Sequence, residues 1–347
     1  MSRIYLDHNA TALLRAEARE AMISAMDVVG NPSSVHAEGR AAKSIVEKAR
    51  GQIAEAMGAM AADIVFTSGA TEAATLACAG RSLKGSEIEH DAVAAWIDPV
   101  LAVDKLGRVH VDDPAQTALQ WANSETGIVQ DVPHGVAVSD MTQAFGKVPL
   151  AFDWSGVGMA LISAHKLGGP KGIGALVMPR GTDLAAQIRG GGQEMGRRSG
   201  TENVVAIAGF GAAAAAAQRD VEAKKWRQIE EFRNILEITL EDSAKSTIFI
   251  GNGVKRLPNT SCFAVPGWKG ETQVMQMDLA GIAISAGSAC SSGKVRASRV
   301  LTAMGFDEVT AASAIRVSLG LETTKEDVDR FCEIWLRAYE KHRARAA

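Results

Sequence analysis

The run Asp63-Ile-Val-Phe-Thr67, followed at once by Ser68-Gly-Ala-Thr-Glu72 and an apolar helical stretch from Ala73, restricts the chain to few architectures. A short β-branched strand that ends in small residues and feeds a helix is the repeating unit of an α/β domain with a mostly parallel sheet. Ala160–Ser163 and Gly174–Met178 read as further strands, and Glu17–Met26, Ala37–Met57 and Thr201–Leu240 carry helical patterns. Beyond Glu241 the pattern changes to short strands, Thr247–Ile250 and Asn259–Ala264, and a closing helix, Lys325–Lys341. A chain of 347 residues exceeds one simple core. The expected division is a large domain, 15–240, and a small α+β domain built from 1–14 with 241–347. Leu83–Ala118 carries the weakest pattern.

A net charge of −3 and a pI near 6.2 give no electrostatic footprint for nucleic acid or an anionic membrane. The longest apolar stretch, Val204–Ala217, is shorter than the roughly 20 residues of a membrane span and reads as a buried core helix. The N-terminus reaches Asp7 and His8 before any apolar run, so no secretory signal is expected. The four cysteines, Cys78, Cys262, Cys290 and Cys332, have neither zinc nor disulfide spacing, which suits a cytoplasmic protein.

Several residues have the chemistry of a site. Ser68–Glu72 is either a plain helix cap or a cradle for an anion, with Ala70 and Thr71 at the helix start. Lys166, just past a strand in Ser163-Ala-His-Lys166 and before a glycine-rich turn, sits where α/β enzymes place their sites. It is a loop lysine, or an amine made nucleophilic by crowding and able to hold an aldehyde as a Schiff base. Asp140 either caps a turn or pairs with a pyridinium nitrogen. His90 is an exposed imidazole in a charged patch or a ring-stacking proton shuttle. The glycine-rich Arg189–Thr201 stretch is a surface loop or a segment that backbone approaches closely. Cys290 lies among glycines, serines and nearby cations, the neighbourhood of a reactive thiol; Cys78 and Cys262 sit in apolar runs and read as packing residues, as does Cys332. Arg316 in Ile315–Gly320 is a structural ion pair or a clamp for a substrate carboxylate.

In combination and order, these segments resemble one family, the pyridoxal-phosphate (PLP) cysteine desulfurases of the iron–sulfur and nitrogen-fixation type, within the class V aminotransferases. The likeness runs from Ile4–Thr11 through Gly30–Ser34, Phe66–Glu72, Ser163–Lys166, Gly190–Glu194 and Arg198–Thr201 to Gly287–Cys290 and Ile315–Gly320. It implies a fold-type-I architecture: a large domain with a mostly parallel seven-stranded sheet, a smaller domain, and a homodimer with sites at the subunit interface. By position, Lys166 matches the Schiff-base lysine, Asp140 the partner of the pyridine nitrogen, Gln143 the contact to the phenolic oxygen, and His90 the stacking acid/base. Ala70, Thr71, Ser163 and His165 match the phosphate cradle, with Thr201 entering from the other subunit. Arg316, with Asn123 and Ser124, matches the substrate-binding set, and Cys290 matches the thiol that attacks the substrate sulfur.

The resemblance further implies that L-cysteine becomes L-alanine, that Cys290 takes the sulfur as a persulfide, and that an acceptor protein receives it. Selenocysteine lysis, another class V reaction, or a weakly active PLP-binding partner are the alternatives. Three departures stand out: Ser124 replaces a second asparagine, Met141 replaces a small residue expected against the cofactor ring, and 83–118 is shorter than usual.

Overall fold

The computed structural model describes residues 3–287 and 297–346. Its central sheet is built on Gly174–Pro179, which pairs antiparallel with Ala62–Thr67 on one side and Ala160–Ser163 on the other. Ser139–Asp140 joins parallel to Ala160–Ser163. Parallel bridges Ala118–Val138 and Lys84–Thr117 continue the order outward, and Leu83–Lys84 pairs in parallel with Ile97–Asp98. Seven segments thus lie side by side, and every one except Gly174–Pro179 runs the same way, as the resemblance implies.

Strand alternation explains the layers. Ile64, Phe66, Ala160, Ile162, Ala175 and Val177 share one core with helices Ala16–Met26, Ala37–Met57 and Val204–Glu222. Val65, Leu161, Leu176 and Met178 face the opposite way, onto helix Ala70–Cys78. Val204–Glu222 is long and apolar enough to cross a membrane by length and composition. Its buried residues, Ile207, Phe210 and Ala213 among them, pack instead inside the first core.

The stretch read as one helical pattern, Thr201–Leu240, is two helices, Val204–Glu222 and Trp226–Ser243. The break is at Lys224, whose φ of 55° is left-handed. The second helix buries Ile229, Leu236 and Leu240 in another core, shared with Ile4, Leu6, Phe263, Ile315, Val317 and the helix Lys325–Ala346. That core rests on an antiparallel sheet in the order Ser285–Ala286, Ala314–Ser318, Thr260–Ala264, Ile248–Phe249. Because Ile315 and Val317 point into it, Arg316 between them faces the other way. The N-terminal segment ties the two cores together. Ile4 and Tyr5 pair with Ile282 and Ala283, while Ala12 N–H donates to His165 O at 2.9 Å.

Candidate active site

A cleft of about 550 Å³ opens at the end of the central sheet where helix Ala70–Cys78 begins. It gathers Ala70, Thr71, His90, Ser124, Asp140, Gln143, Ser163, His165 and Lys166 from the sequence-derived set. Lys166 closes a 3-10 turn, Ala164–Lys166, directly after its strand. Its Nζ donates to Asn9 O at 2.7 Å and Ala10 O at 3.0 Å, so the amine is held at the cleft by the N-terminal segment.

Asp140 ends its strand in the cleft and accepts from Thr142 N–H at 2.9 Å, the bond of a residue that caps a turn. Gln143 donates through Nε2 to Asn9 O at 3.0 Å and accepts at Oε1 from Lys147 at 2.8 Å. His90 caps the short helix Asp91–Ala94, its Nδ1 accepting from Ala92 N–H at 3.1 Å. That bond leaves the proton of the neutral ring on Nε2. His165 is held neutral: burial, then the Lys166 and Lys171 cations, push it down to about 4.

Ser68–Glu72 forms a cap of its own at the edge of the cleft. Ser68 N–H is taken by Glu72 Oε2 at 2.7 Å, and Glu72 is fixed in turn by Arg198 Nε at 2.8 Å. Gly69, Ala70 and Thr71, at the start of the helix, line the cleft, where first-turn amides lack intrahelical partners. Gly174 lets its strand press against this turn: a Cβ there would stand 2.6 Å from Ile162 O and 2.7 Å from Gly69 C.

Four expectations need correction or relocation. Met141 does not lie against a cofactor face; it is 1% exposed and buried in the first core, and Thr142 and Ala122 line the cleft instead. Asn123 does not reach the cleft. Its Nδ2 donates to Ile88 O at 3.1 Å, and its Oδ1 takes Glu125 N–H, Thr126 N–H and the Thr126 hydroxyl, which knots the 123–128 turn. Thr201 lines an adjoining cleft with Thr67, Ser68 and Gly172. Arg316 is buried beside the site rather than on its wall, with Nη2 at 2.7 Å from Asp7 Oδ1 and Nη1 at 3.0 Å from Ser124 O. Cys290 lies outside the described residues.

Sequence reasoning gave no role to Ala10, Thr11, Gln120, Lys171 or Gly172, which also line the cleft, nor to Lys147 behind it. Ala10 and Thr11 belong to the Ile4–Thr11 segment, whose match was a usable signal. Cys78, Cys262 and Cys332 are buried, and burial pushes their thiols up, to about 12 for Cys78 and Cys332.

The residues fit PLP on chemical grounds. The cleft combines an amine, a carboxylate, an amide donor and a helix N-terminus, and His165 Nδ1 is buried with no hydrogen-bond partner among the described residues. The model of the family "Aminotransferase class-V" matches residues 4–97 and 99–331. A "Cysteine desulfurase" of Cereibacter sphaeroides is 38% identical, covering 96% of this chain and 95% of the relative. "Cysteine desulfurase IscS" of Dictyoglomus turgidum is 35% identical, covering 98% and 95%. Among solved structures, a NifS-like protein from Rickettsia africae superposes with a TM-score of 0.88 at 34% identity, covering 97% of this chain and 99% of that one. The chain therefore belongs to the class-V aminotransferases.

Proposed function

We propose that this enzyme is a PLP-dependent cysteine desulfurase that converts L-cysteine to L-alanine and takes the sulfur on Cys290. The observation that carries the reading is the convergence of Lys166, Asp140, Gln143, Ser163 and His165 on one cleft at a helix N-terminus. The cysteine desulfurases similar over nearly the full chain support the same activity.

When bound, PLP supplies an aldehyde for amines and a ring that stores the electron pair left by Cα deprotonation. Lys166 Nζ would hold that aldehyde and would be the base for the Cα proton. Asp140 would keep the ring nitrogen protonated, and His90 would serve as the proton-moving imidazole beside it. The helix start at Ala70 and Thr71, with Ser163 and His165, binds the phosphate. Arg316 takes the substrate carboxylate in exchange for part of its present partnership. The Cys290 thiolate attacks the substrate sulfur; the C–S bond electrons go to carbon, which is protonated and leaves as alanine, and the sulfur stays on Cys290 as a persulfide for an acceptor protein. Thr201 acts from the second subunit of a homodimer in the cytoplasm. Two domains divide the labour, and Ile229, Leu236 and Leu240 favour counting helix Trp226–Ser243 with the smaller one.

Incubation with L-cysteine and PLP is expected to yield alanine and a protein mass increased by one sulfur. Cys290→Ser should keep the cofactor and lose both products. Unchanged sulfide release by Cys290→Ser contradicts the persulfide route.

A further inference from the structure

Lys147 is buried, yet among the described residues both hydrogen-bond partners of its Nζ are neutral oxygens of one residue, Gln143 O at 3.1 Å and Gln143 Oε1 at 2.8 Å. Burying an ammonium without a carboxylate is costly, and a methionine would fill the same space without that cost. The neighbourhood adds to the expense, since the Lys166 and Arg316 cations act on it and His8 lines the same small cavity. Packing therefore does not explain a lysine here. Its geometry does. With Oε1 engaged by Lys147, the Gln143 amide can present only its Nε2 side forward, and Nε2 donates to Asn9 O. Asn9 O is also the acceptor of Lys166 Nζ, so one backbone oxygen joins both side chains.

We propose that Lys147 is a positioning residue for the cofactor, acting through Gln143: it fixes the orientation of that amide so that an N–H, not an oxygen, faces the phenolic side of the ring. This rests on the PLP reading of the cleft. Lys147 donates to Gln143 Oε1, and without that donor only the Nε2–Asn9 O bond holds the orientation of the amide.

The test uses the full-length protein with added PLP and reads the visible band of the bound cofactor, its pH midpoint and the Kd for PLP. Lys147→Met is expected to move the midpoint by about half a unit or more and to weaken PLP binding roughly tenfold, the scale of losing one buried donor. In a Gln143→Ala background the same change should add nothing, because the residues act as one unit. Lys147→Gln, which keeps an N–H donor, should restore most of the wild-type spectrum. An unchanged midpoint and Kd in Lys147→Met, or equal effects with and without Gln143, overturns the proposal. A neutron structure of the wild-type protein tests it without any variant: Gln143 Oε1 toward Lys147 supports it, and Nε2 toward Lys147 overturns it. Wild-type protein that takes up no PLP would instead sink the reading on which the proposal stands.

Discussion

Arg316 Nη2 lies 2.7 Å from Asp7 Oδ1, so the arginine expected to receive a substrate carboxylate already holds an internal one. The same Asp7 oxygen accepts from the Ser285 hydroxyl at 2.8 Å. Both side chains of the pair are largely shielded from water, with 7% and 17% of their surfaces exposed. Asp7→Asn leaves a buried cation short of its counter-charge and is expected to destabilise the fold by about 2 kcal/mol. Urea unfolding at neutral pH checks this, and a midpoint equal to the wild type contradicts it.

Arg316→Lys keeps the charge but loses the fork that reaches Asp7, Ser124 O and a carboxylate together. KM for L-cysteine should rise at least about tenfold, with kcat changing much less. Steady-state alanine formation separates the two; a loss confined to kcat would place Arg316 outside substrate binding.

Gly174→Ala would force a methyl group against Ile162 O and the Gly69 backbone, neither of which is a flexible side-chain end. The cost is expected at about 1–3 kcal/mol, with weaker PLP retention because the turn before helix Ala70–Cys78 must shift. Thermal unfolding with and without PLP reads both effects. A variant as stable as the wild type, with equal PLP retention, contradicts the close approach.

Glu89 is buried, and burial pushes its carboxyl up to about 8. Among the described residues its Oε1 accepts from Gln120 N–H at 2.9 Å and its Oε2 has no donor. Between 4.5, the ordinary value, and about 8, the folded chain keeps a proton that the unfolded chain has released. This contribution to stability is therefore complete below that range and is lost as pH rises through it, at no more than about 1.4 kcal/mol per pH unit. Glu89→Gln should flatten the decline between pH 5 and 9 in urea unfolding series. Equal slopes for variant and wild type would remove Glu89 as its source.

Native alkylation at pH 8 should modify Cys290 well before Cys78, Cys262 and Cys332, whose thiols are buried and held protonated. Peptide mapping after brief iodoacetamide treatment decides it, and early modification of any of the three buried thiols contradicts it.

What the sequence made readable follows from where the signal is local. Asp140 and Lys166 were legible as cleft residues because Asp140 ends a strand and Lys166 closes the turn after one, where such sheets expose side chains. The 83–118 region resisted reading because its regular pieces, strands Leu83–Lys84 and Ile97–Asp98, helix Asp91–Ala94 and the 3-10 turn Pro114–Gln116, are too short for a period to show. The break between Val204–Glu222 and Trp226–Ser243 carries no glycine or proline; a lysine takes the left-handed turn that those residues usually signal. Met141 was assigned to the wrong side because the chain leaves its strand at Asp140, where alternation no longer fixes direction. Lys147 escaped notice because a lone lysine reads as surface, and the partners that give it meaning depend on how Asn9 and Lys166 meet in space. Arg316 was legible as an inward arginine, but its partner Asp7 lies 309 positions away.

The proposed chemistry depends most on which amine carries the cofactor, and the cleft offers two lysines, Lys166 and Lys171, with Lys147 close behind. Borohydride reduction of the PLP-loaded protein, followed by peptide mass mapping, reads this directly. The predicted result is a single pyridoxyl adduct on Lys166, absent in Lys166→Ala. An adduct on Lys171 or Lys147, or none in protein saturated with PLP, would contradict it.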